Sequence, residues 1–187
     1  MNPPKNIAYS ATFRMICASF LLLLIACNGT PGKIQPETNS QSMTDSVLSY
    51  NHQIVKAEIQ EIDDFILRYH WEMKTTQSGL HFMIYEKNTG TTVKQGDIIG
   101  INYKVSLLNG NLVDQSDSAA LFTFEAGKRK VVSGLEEGIM LMKKGERAKL
   151  IVPSHLAFGL LGDMDKIPPG VVLVYDVELC SINQLKK

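Results

Sequence analysis

The stretch KIPPGVVLVYDVEL, residues 166–179, gives the clearest structural signal in the chain. After its two prolines, apolar and polar side chains alternate, as they do in a β-strand that buries one face. The side chains predicted on the buried face are Leu173, Tyr175, Val177 and Leu179. Proline has no N–H to donate to a sheet, so Pro168 and Pro169 lie just before the strand. A stiff loop beside an inward-facing tyrosine predicts the rim of a pocket.

The same two-residue period recurs upstream, from Leu80 onward. The further predicted strands lie in LHFMIYE (80–86), DIIGINYKVSLL (97–108), LFTFEAG (121–127) and RAKLIVP (147–153). Asn109–Gly110 is a strong hairpin signal. One helix is predicted within SGLEEGIMLMKKGE, residues 133–146, with Gly145 at its end. This order indicates an α+β domain in which a helix covers one face of an antiparallel sheet.

A helical period covers Ser46 to about Met73. Its apolar stripe consists of Val47, Leu48, Ile54, Val55, Ile59, Ile62, Phe65, Ile66, Tyr69 and Met73. An apolar stripe on a helix has to be buried against another surface. We expect that surface to belong to the same domain. A homodimer or a docking surface built on this helix is the alternative.

The N-terminus reads as a targeting segment. Lys5 and Arg14 precede the apolar run MICASFLLLLIAC, residues 15–27, as in a secretory signal. Its last four residues, LIAC, resemble a bacterial lipobox, which implies cleavage before Cys27 and lipidation of that cysteine. The alternative is an ordinary secretory peptide. We therefore expect a signal peptide over 1–26, a flexible tether over 27–43, an amphipathic helix over 44–76 and a folded domain over 77–187.

Composition and missing motifs exclude several classes of function. The chain of 187 residues is 44% hydrophobic and 20% charged, as in a globular protein, and its formal net charge of zero offers no surplus for nucleic acid. It contains no P-loop, no GxGxxG and no GxSxG, and its histidines lack metal-ligand spacing. Once Cys17 leaves with the signal and Cys27 carries lipid, Cys180 has no disulfide partner within the chain. We expect no cofactor and no metal.

Several motifs resemble those of the FKBP-type peptidyl-prolyl cis–trans isomerases, in the order typical of that family, over residues 79–183. They are Tyr103 in the second strand, Asp114 after the hairpin, VVSG (131–134), GERAKL (145–150), FG (158–159), and IPP (167–169) leading to YDVEL (175–179). The N-terminal features and TTQSGLHFMIYEK (75–87) further resemble the gliding-motility-associated lipoprotein isomerases of Bacteroidetes.

The resemblance implies five or six antiparallel strands curled around the short helix, with a pocket between them. It implies a catalytic set of Tyr103, Asp114, Phe158 and Tyr175, and substrate-binding residues Val113, Phe122, Val131, Val132, Leu135 and Ile167. Three of these depart from the family pattern, because Val113 replaces a phenylalanine, Leu135 a tryptophan and Phe158 a tyrosine.

The function implied is prolyl isomerisation that assists the folding of exported proteins, with a link to gliding machinery. Substrates would be proline-containing polypeptides, and the lipid would hold the protein on an inner or outer membrane of the cell envelope, facing the periplasm. The alternative is a membrane-tethered chaperone or machinery subunit that binds proline-containing segments without useful turnover.

Overall fold

The structure is a computed structural model that describes residues 39–117 and 120–183, with side chains from Leu48 onward. The signal peptide, Cys27 and the predicted tether up to residue 38 lie outside the described residues. The chain divides into two units, residues 1–47 and 48–187, and of the first unit only the helical backbone of residues 39–47 is described. The elements are α1 (Asn39–Tyr69), β1 (Lys74–Thr75), β2 (His81–Glu86), β3 (Ile98–Leu107), β4 (Leu112–Gln115), β5 (Phe122–Glu125), α2 (Ser133–Met140), β6 (Arg147–Val152), a 3₁₀ turn (Ser154–Leu156) and β7 (Leu173–Asn183).

Within the described residues, seven antiparallel strands form one sheet, in the order β1-β2-β6-β7-β3-β4, and β5 also pairs with β3. The long strand β3 pairs with β7 from Ile98 to Leu107. Its other edge is shared, because β5 pairs with its first half and β4 with its second half. The α+β class and the antiparallel sheet are confirmed. The sheet has one more strand than expected, since the two-residue β1 is too short to show a period.

The inner face of the sheet packs on α2. Leu135, Ile139 and Met142 are buried there, together with the four side chains of β7 that the alternating pattern placed inside. Two glycines let the helix approach closely, because a Cβ at Gly138 would lie 2.5 Å from Leu150 Cδ1, and one at Gly134 2.4 Å from Val152 Cγ1.

The prediction that Gly145 ends this helix is wrong. The helix ends at Met140, and Gly145 lies five residues beyond it in the turn that enters β6. Its N–H donates to the Leu179 carbonyl at 2.7 Å, and its φ of 84° suits glycine. Gly145 therefore forms part of the turn that enters β6 and does not cap the helix.

The outer face of the sheet is partly covered by the C-terminal part of α1. Ile62 and Phe65 are buried against Ile151, Val172 and Val174, so this part of the stripe packs on its own domain, as expected. The helix begins at Asn39, inside the predicted tether. Residues 39–45 contain one apolar residue, Met43, and show no apolar period, so the sequence pattern did not predict this first part of the helix. It ends at Tyr69, before Met73, since His70 adopts a left-handed φ of 53°.

The earlier part of the same stripe is exposed. Leu48, Val55 and Ile59 keep more than half of their surface in solvent. Among the described helices, none is long and apolar enough to cross a membrane.

Candidate functional site

A cavity of about 350 Å³ lies between the inner face of the sheet, the start of α2 and the loop that leads into β7. We call it the main cavity. It brings together all ten residues that the family resemblance placed in the pocket: Tyr103, Val113, Asp114, Phe122, Val131, Val132, Leu135, Phe158, Ile167 and Tyr175. Their shared position is now a structural observation, and their individual roles in catalysis or binding stay predictions.

Strand register explains why these residues meet. Val105 of β3 pairs with Asp114 of β4 on one side and with Tyr175 of β7 on the other. Tyr103 lies two residues before Val105, so its side chain leaves the same face of β3. Three strands therefore place two phenols and a carboxylate around one opening.

Tyr103 and Asp114 form the polar part of the main cavity. The Tyr103 hydroxyl donates to Asp114 Oδ2 at 2.7 Å. Burial, this hydrogen bond and the negative charge of Asp114 together raise the pKa of Tyr103 to about 12. The deeper Tyr175 also has a raised pKa, mainly because of burial. Both phenols are therefore neutral at physiological pH, and the hydrogen bond fixes the orientation of the Asp114 carboxylate.

Aromatic rings form the apolar walls. The Tyr103 ring lies edge-on to Phe122, with ring centroids 5.5 Å apart, and its centroid is 6.2 Å from that of Tyr175. Such tilted pairs are favourable contacts between aromatic rings and hold them in place. Leu135 is buried at the start of α2, whereas Phe158 remains partly exposed. The result is a slot with preformed aromatic sides.

The loop that carries Ile167 is fixed by more than its two prolines. The carboxylate of Asp163 accepts the N–H of Ile167 at 2.6 Å and that of Asp165 at 2.9 Å. These backbone hydrogen bonds lower the pKa of the Asp163 carboxyl. Gly162 adopts a φ of 68°, and a Cβ there would lie 2.2 Å from the Ile167 carbonyl oxygen. Gly162 and Asp163 therefore hold Ile167 against the cavity.

The main cavity is also lined by five residues that the sequence analysis did not place there: Val105, Lys130, Asp163, Asp165 and Lys166. Val105 could have been found, since it shares the two-residue period of Tyr103. Lys130 immediately precedes a predicted pocket residue. The three loop residues, Asp163, Asp165 and Lys166, lie outside any strand or helix and carry no periodic signal.

Comparison with known proteins agrees with this geometry. The family model of FKBP-type peptidyl-prolyl cis-trans isomerases matches residues 89–180. FK506-binding protein 2 of Dictyostelium discoideum is 43% identical over 91 residues, which are 48% of this chain and 68% of that protein. The chain belongs to the FKBP-type peptidyl-prolyl cis-trans isomerase family. A probable FKBP-type isomerase of Haemophilus influenzae is 34% identical over 112 residues, covering 60% of this chain and 46% of the relative.

A solved structure supports the same assignment. The peptidyl-prolyl cis-trans isomerase of Pseudomonas syringae superposes with a TM-score of 0.62 at 25% identity, over 71% of this chain and 96% of that one. The chain spans only 30% of another relative, FK506-binding protein 4 of Dictyostelium discoideum. The matched FKBP segment, residues 89–180, contains every residue that lines the main cavity, whereas α1, β1 and β2 lie outside it.

Proposed function

We propose that this protein catalyses the cis–trans isomerisation of X–Pro bonds in polypeptides. The observation that carries the proposal is the main cavity itself, an aromatic-walled slot in which one carboxylate is held in place by a tyrosine. Membership of the FKBP family supports it. Substrates are accordingly polypeptides that expose a proline.

The geometry suits this reaction because rotation needs no nucleophile. The barrier of about 18–20 kcal/mol arises from lost amide resonance. The planar amide is more polar than the twisted one, so a slot poor in water favours the twisted transition state over the ground state. Tyr175, Phe122 and Ile167 supply apolar walls for the proline ring. Asp114 positions the substrate by accepting its backbone N–H, since an ionised carboxylate is an acceptor only.

The runner-up function is binding of proline-containing segments without turnover. Exposed apolar side chains on α1 and on the loop after the 3₁₀ turn favour it, among them Leu48, Ile59, Leu160 and Leu161. Two assays on one preparation separate the two functions. An enzyme accelerates isomerisation of a Leu-Pro tetrapeptide at catalytic concentration. A pure chaperone leaves that rate at the spontaneous value and suppresses aggregation only near stoichiometric amounts.

We further propose that the protein acts at the bacterial cell envelope, anchored by lipid on Cys27. The proposal rests on the sequence LIAC at the end of a short apolar run. Several acyl chains, at about 0.8 kcal/mol per buried CH₂, hold a protein stably on a membrane. Cys27→Ser is expected to abolish incorporation of labelled fatty acid and to release the protein from membranes. Equal membrane retention of the variant, with no label in the wild type, would contradict the anchor.

A link to gliding machinery rests on the resemblance of the N-terminal region and of residues 75–87 to gliding-associated lipoprotein isomerases. It predicts that deletion of the gene abolishes surface spreading of a gliding host and that only an active copy restores it. Homodimerisation through α1 stays a prediction, with the exposed Leu48, Val55 and Ile59 as the surface available to a second copy.

A further inference from the structure

One polar side chain of α1 is fixed to the segment that follows β6. Glu58 is partly buried, whereas every other residue from Leu48 to Glu61 is exposed. It lies four positions, about one helical turn, before the buried Ile62, so its side chain leaves the face of α1 that packs on the sheet. Glu58 therefore extends the attachment of α1 beyond its buried apolar residues.

The Glu58 carboxylate accepts two hydrogen bonds from Ser154, the first residue of the 3₁₀ turn. The backbone N–H of Ser154 donates to Oε1, and its hydroxyl donates to Oε2 at 2.7 Å. Ser154 keeps only 8% of its surface in solvent. A buried N–H or hydroxyl that loses its acceptor destabilises the structure around it. Loss of the Glu58 carboxylate therefore acts directly on the 3₁₀ turn.

The same serine fixes the backbone on both sides of Phe158. The Ser154 carbonyl accepts the N–H of Ala157 at 3.0 Å and that of Gly159 at 2.8 Å. Phe158 stands between these two residues, and its side chain lines the main cavity. Contacts therefore run from Glu58 on α1, through Ser154, to one wall of the main cavity.

The 3₁₀ turn has two further contacts with the domain, and neither of them uses the N–H or the hydroxyl of Ser154. The Ser133 hydroxyl donates to the Leu156 carbonyl at 3.1 Å, and His155 Nε2 lies 2.9 Å from the Ser78 carbonyl oxygen. These contacts keep the turn attached when Glu58 is removed. We therefore expect a local displacement of the turn and not its unfolding.

We propose that Glu58 is a positioning residue for prolyl isomerisation, which acts through Ser154 to set the place of Phe158 at the main cavity. The inference rests on the proposed function, since it gives α1 a part in turnover at that cavity. Glu58 lies outside the segment matched by the FKBP family, residues 89–180, whereas Ser154 and Phe158 lie inside it. The helix thus adds a contact to the FKBP segment from outside it.

The first test measures kcat and KM on a Leu-Pro tetrapeptide. The full chain is held in small phosphatidylcholine bicelles, because residues 15–27 are strongly apolar. Misplacement of about 1 Å can cost about 100-fold in rate, so a smaller displacement of Phe158 should cost about tenfold in kcat/KM. We expect Glu58→Ala to show this loss mainly as a higher KM, because Phe158 forms part of the wall that holds the peptide.

Two matched variants accompany Glu58→Ala. Glu58→Gln can keep both contacts, since its amide oxygen accepts the Ser154 N–H and its amide nitrogen donates to the hydroxyl oxygen. It should bring KM back to within about threefold of wild type. Glu61→Ala removes the same type of side chain from an exposed position of the same helix and should leave KM unchanged.

A double-mutant cycle with Phe158→Leu separates positioning from a general loss of stability. If Glu58 acts through Phe158, Glu58→Ala should lower kcat/KM by less than about twofold in protein that already carries Phe158→Leu. A purely structural role of Glu58 would cause the same tenfold loss in both backgrounds and would overturn the proposal. Thermal melting checks that each variant is folded under the assay conditions.

A second readout does not need turnover. In protein labelled with 4-fluorophenylalanine, the ¹⁹F resonance of position 158 is assigned by its absence from Phe158→Leu. It should shift in Glu58→Ala and stay in place in Glu61→Ala. Ser154→Ala removes one of the two donors with little change in volume and should also shift it. An unchanged resonance in these folded Glu58 and Ser154 variants overturns the proposal. A wild type that leaves the tetrapeptide at its spontaneous rate contradicts the proposed function instead, and the resonance still decides whether Glu58 positions Phe158.

Discussion

Substitution of Gly162 by alanine should disable the loop that presents Ile167. Gly162 has a φ of 68°, a left-handed conformation that costs other residues about 1–2 kcal/mol. In addition, a Cβ would lie 2.2 Å from the Ile167 carbonyl oxygen, and real contacts of this kind do not fall below 3.0 Å. The backbone would therefore have to move by at least 0.8 Å, the difference between these two distances.

That movement acts on the main cavity directly. A shift of 0.8 Å along the hydrogen bond would lengthen the distance from Ile167 N to Asp163 Oδ1 from 2.6 Å to 3.4 Å, beyond the usual limit of about 3.2 Å. Misplacement of about 1 Å in a reacting geometry can cost about 100-fold in rate. We expect Gly162→Ala to lower kcat/KM on a Leu-Pro peptide by about 10- to 100-fold.

Gly170→Ala is the matched control for this substitution. Gly170 has a similar φ of 69° in the same loop, but a Cβ there meets nothing within 4 Å. It should reproduce the conformational strain without the collision, and kcat/KM should stay within about threefold of wild type. Equal activities of the two variants, in protein shown to be folded by its thermal transition, would refute the claim that loop position controls the site.

Three further predictions follow from single contacts. Truncation of a buried isoleucine typically costs about 2–5 kcal/mol, and Ile62→Asp should lower the free energy of unfolding in urea by more than this because it also buries a charge. A variant that stays folded and only loses a dimer would contradict packing of α1 on its own domain. The pKa of Tyr103 is about 12 in the folded protein and about 10 when unfolded, so its contribution to stability is complete below pH 10 and is lost as the pH rises toward 12. In urea titrations at pH 9, 10 and 11, the free energy of unfolding should therefore fall less with pH for Tyr103→Phe than for the wild type. An identical fall in both proteins would contradict the assignment. Phe158→Tyr adds a hydroxyl to the lining of the main cavity. One additional hydrogen bond to the substrate contributes about 1 kcal/mol, which should lower KM for a prolyl peptide about fivefold. An unchanged KM would show that the side chain at position 158 does not face the substrate backbone.

The regular spacing of apolar residues allowed much of the fold to be predicted from the sequence. The alternation in β7 placed Tyr175 on the buried face, and the apolar spacing of Leu135 and Ile139 located α2. Asn109–Gly110 marked the hairpin, where Gly110 has a φ of 87°. Each of these signals is local, because it depends only on which residues stand a few positions apart.

The parts that the sequence did not predict depend on tertiary contacts. The two-residue β1 exists only because Lys74 and Thr75 pair with β2. The role of Asp163 depends on how the loop folds back, so that its carboxylate reaches the Ile167 N–H four residues later. Likewise, the apolar stripe of α1 does not reveal that Ile62 is buried while Ile59 stays half exposed. That division depends on Ile151, Val172 and Val174, which pack on Ile62.

The central claim is that the main cavity turns over prolyl bonds and that Asp114 positions the substrate. The most direct measurement is kcat/KM on a Leu-Pro peptide for the wild type and for Asp114→Ala, with unfolding free energies of both. Spontaneous prolyl isomerisation takes about 10–100 s, and we predict that the wild-type protein clearly accelerates it. Asp114→Ala should lower kcat/KM about tenfold or more, the worth of a hydrogen bond to a charged group, with little loss of stability because Asp114 is a solvent-exposed residue at the cavity. A folded wild-type protein that leaves the peptide at its spontaneous rate would contradict the account.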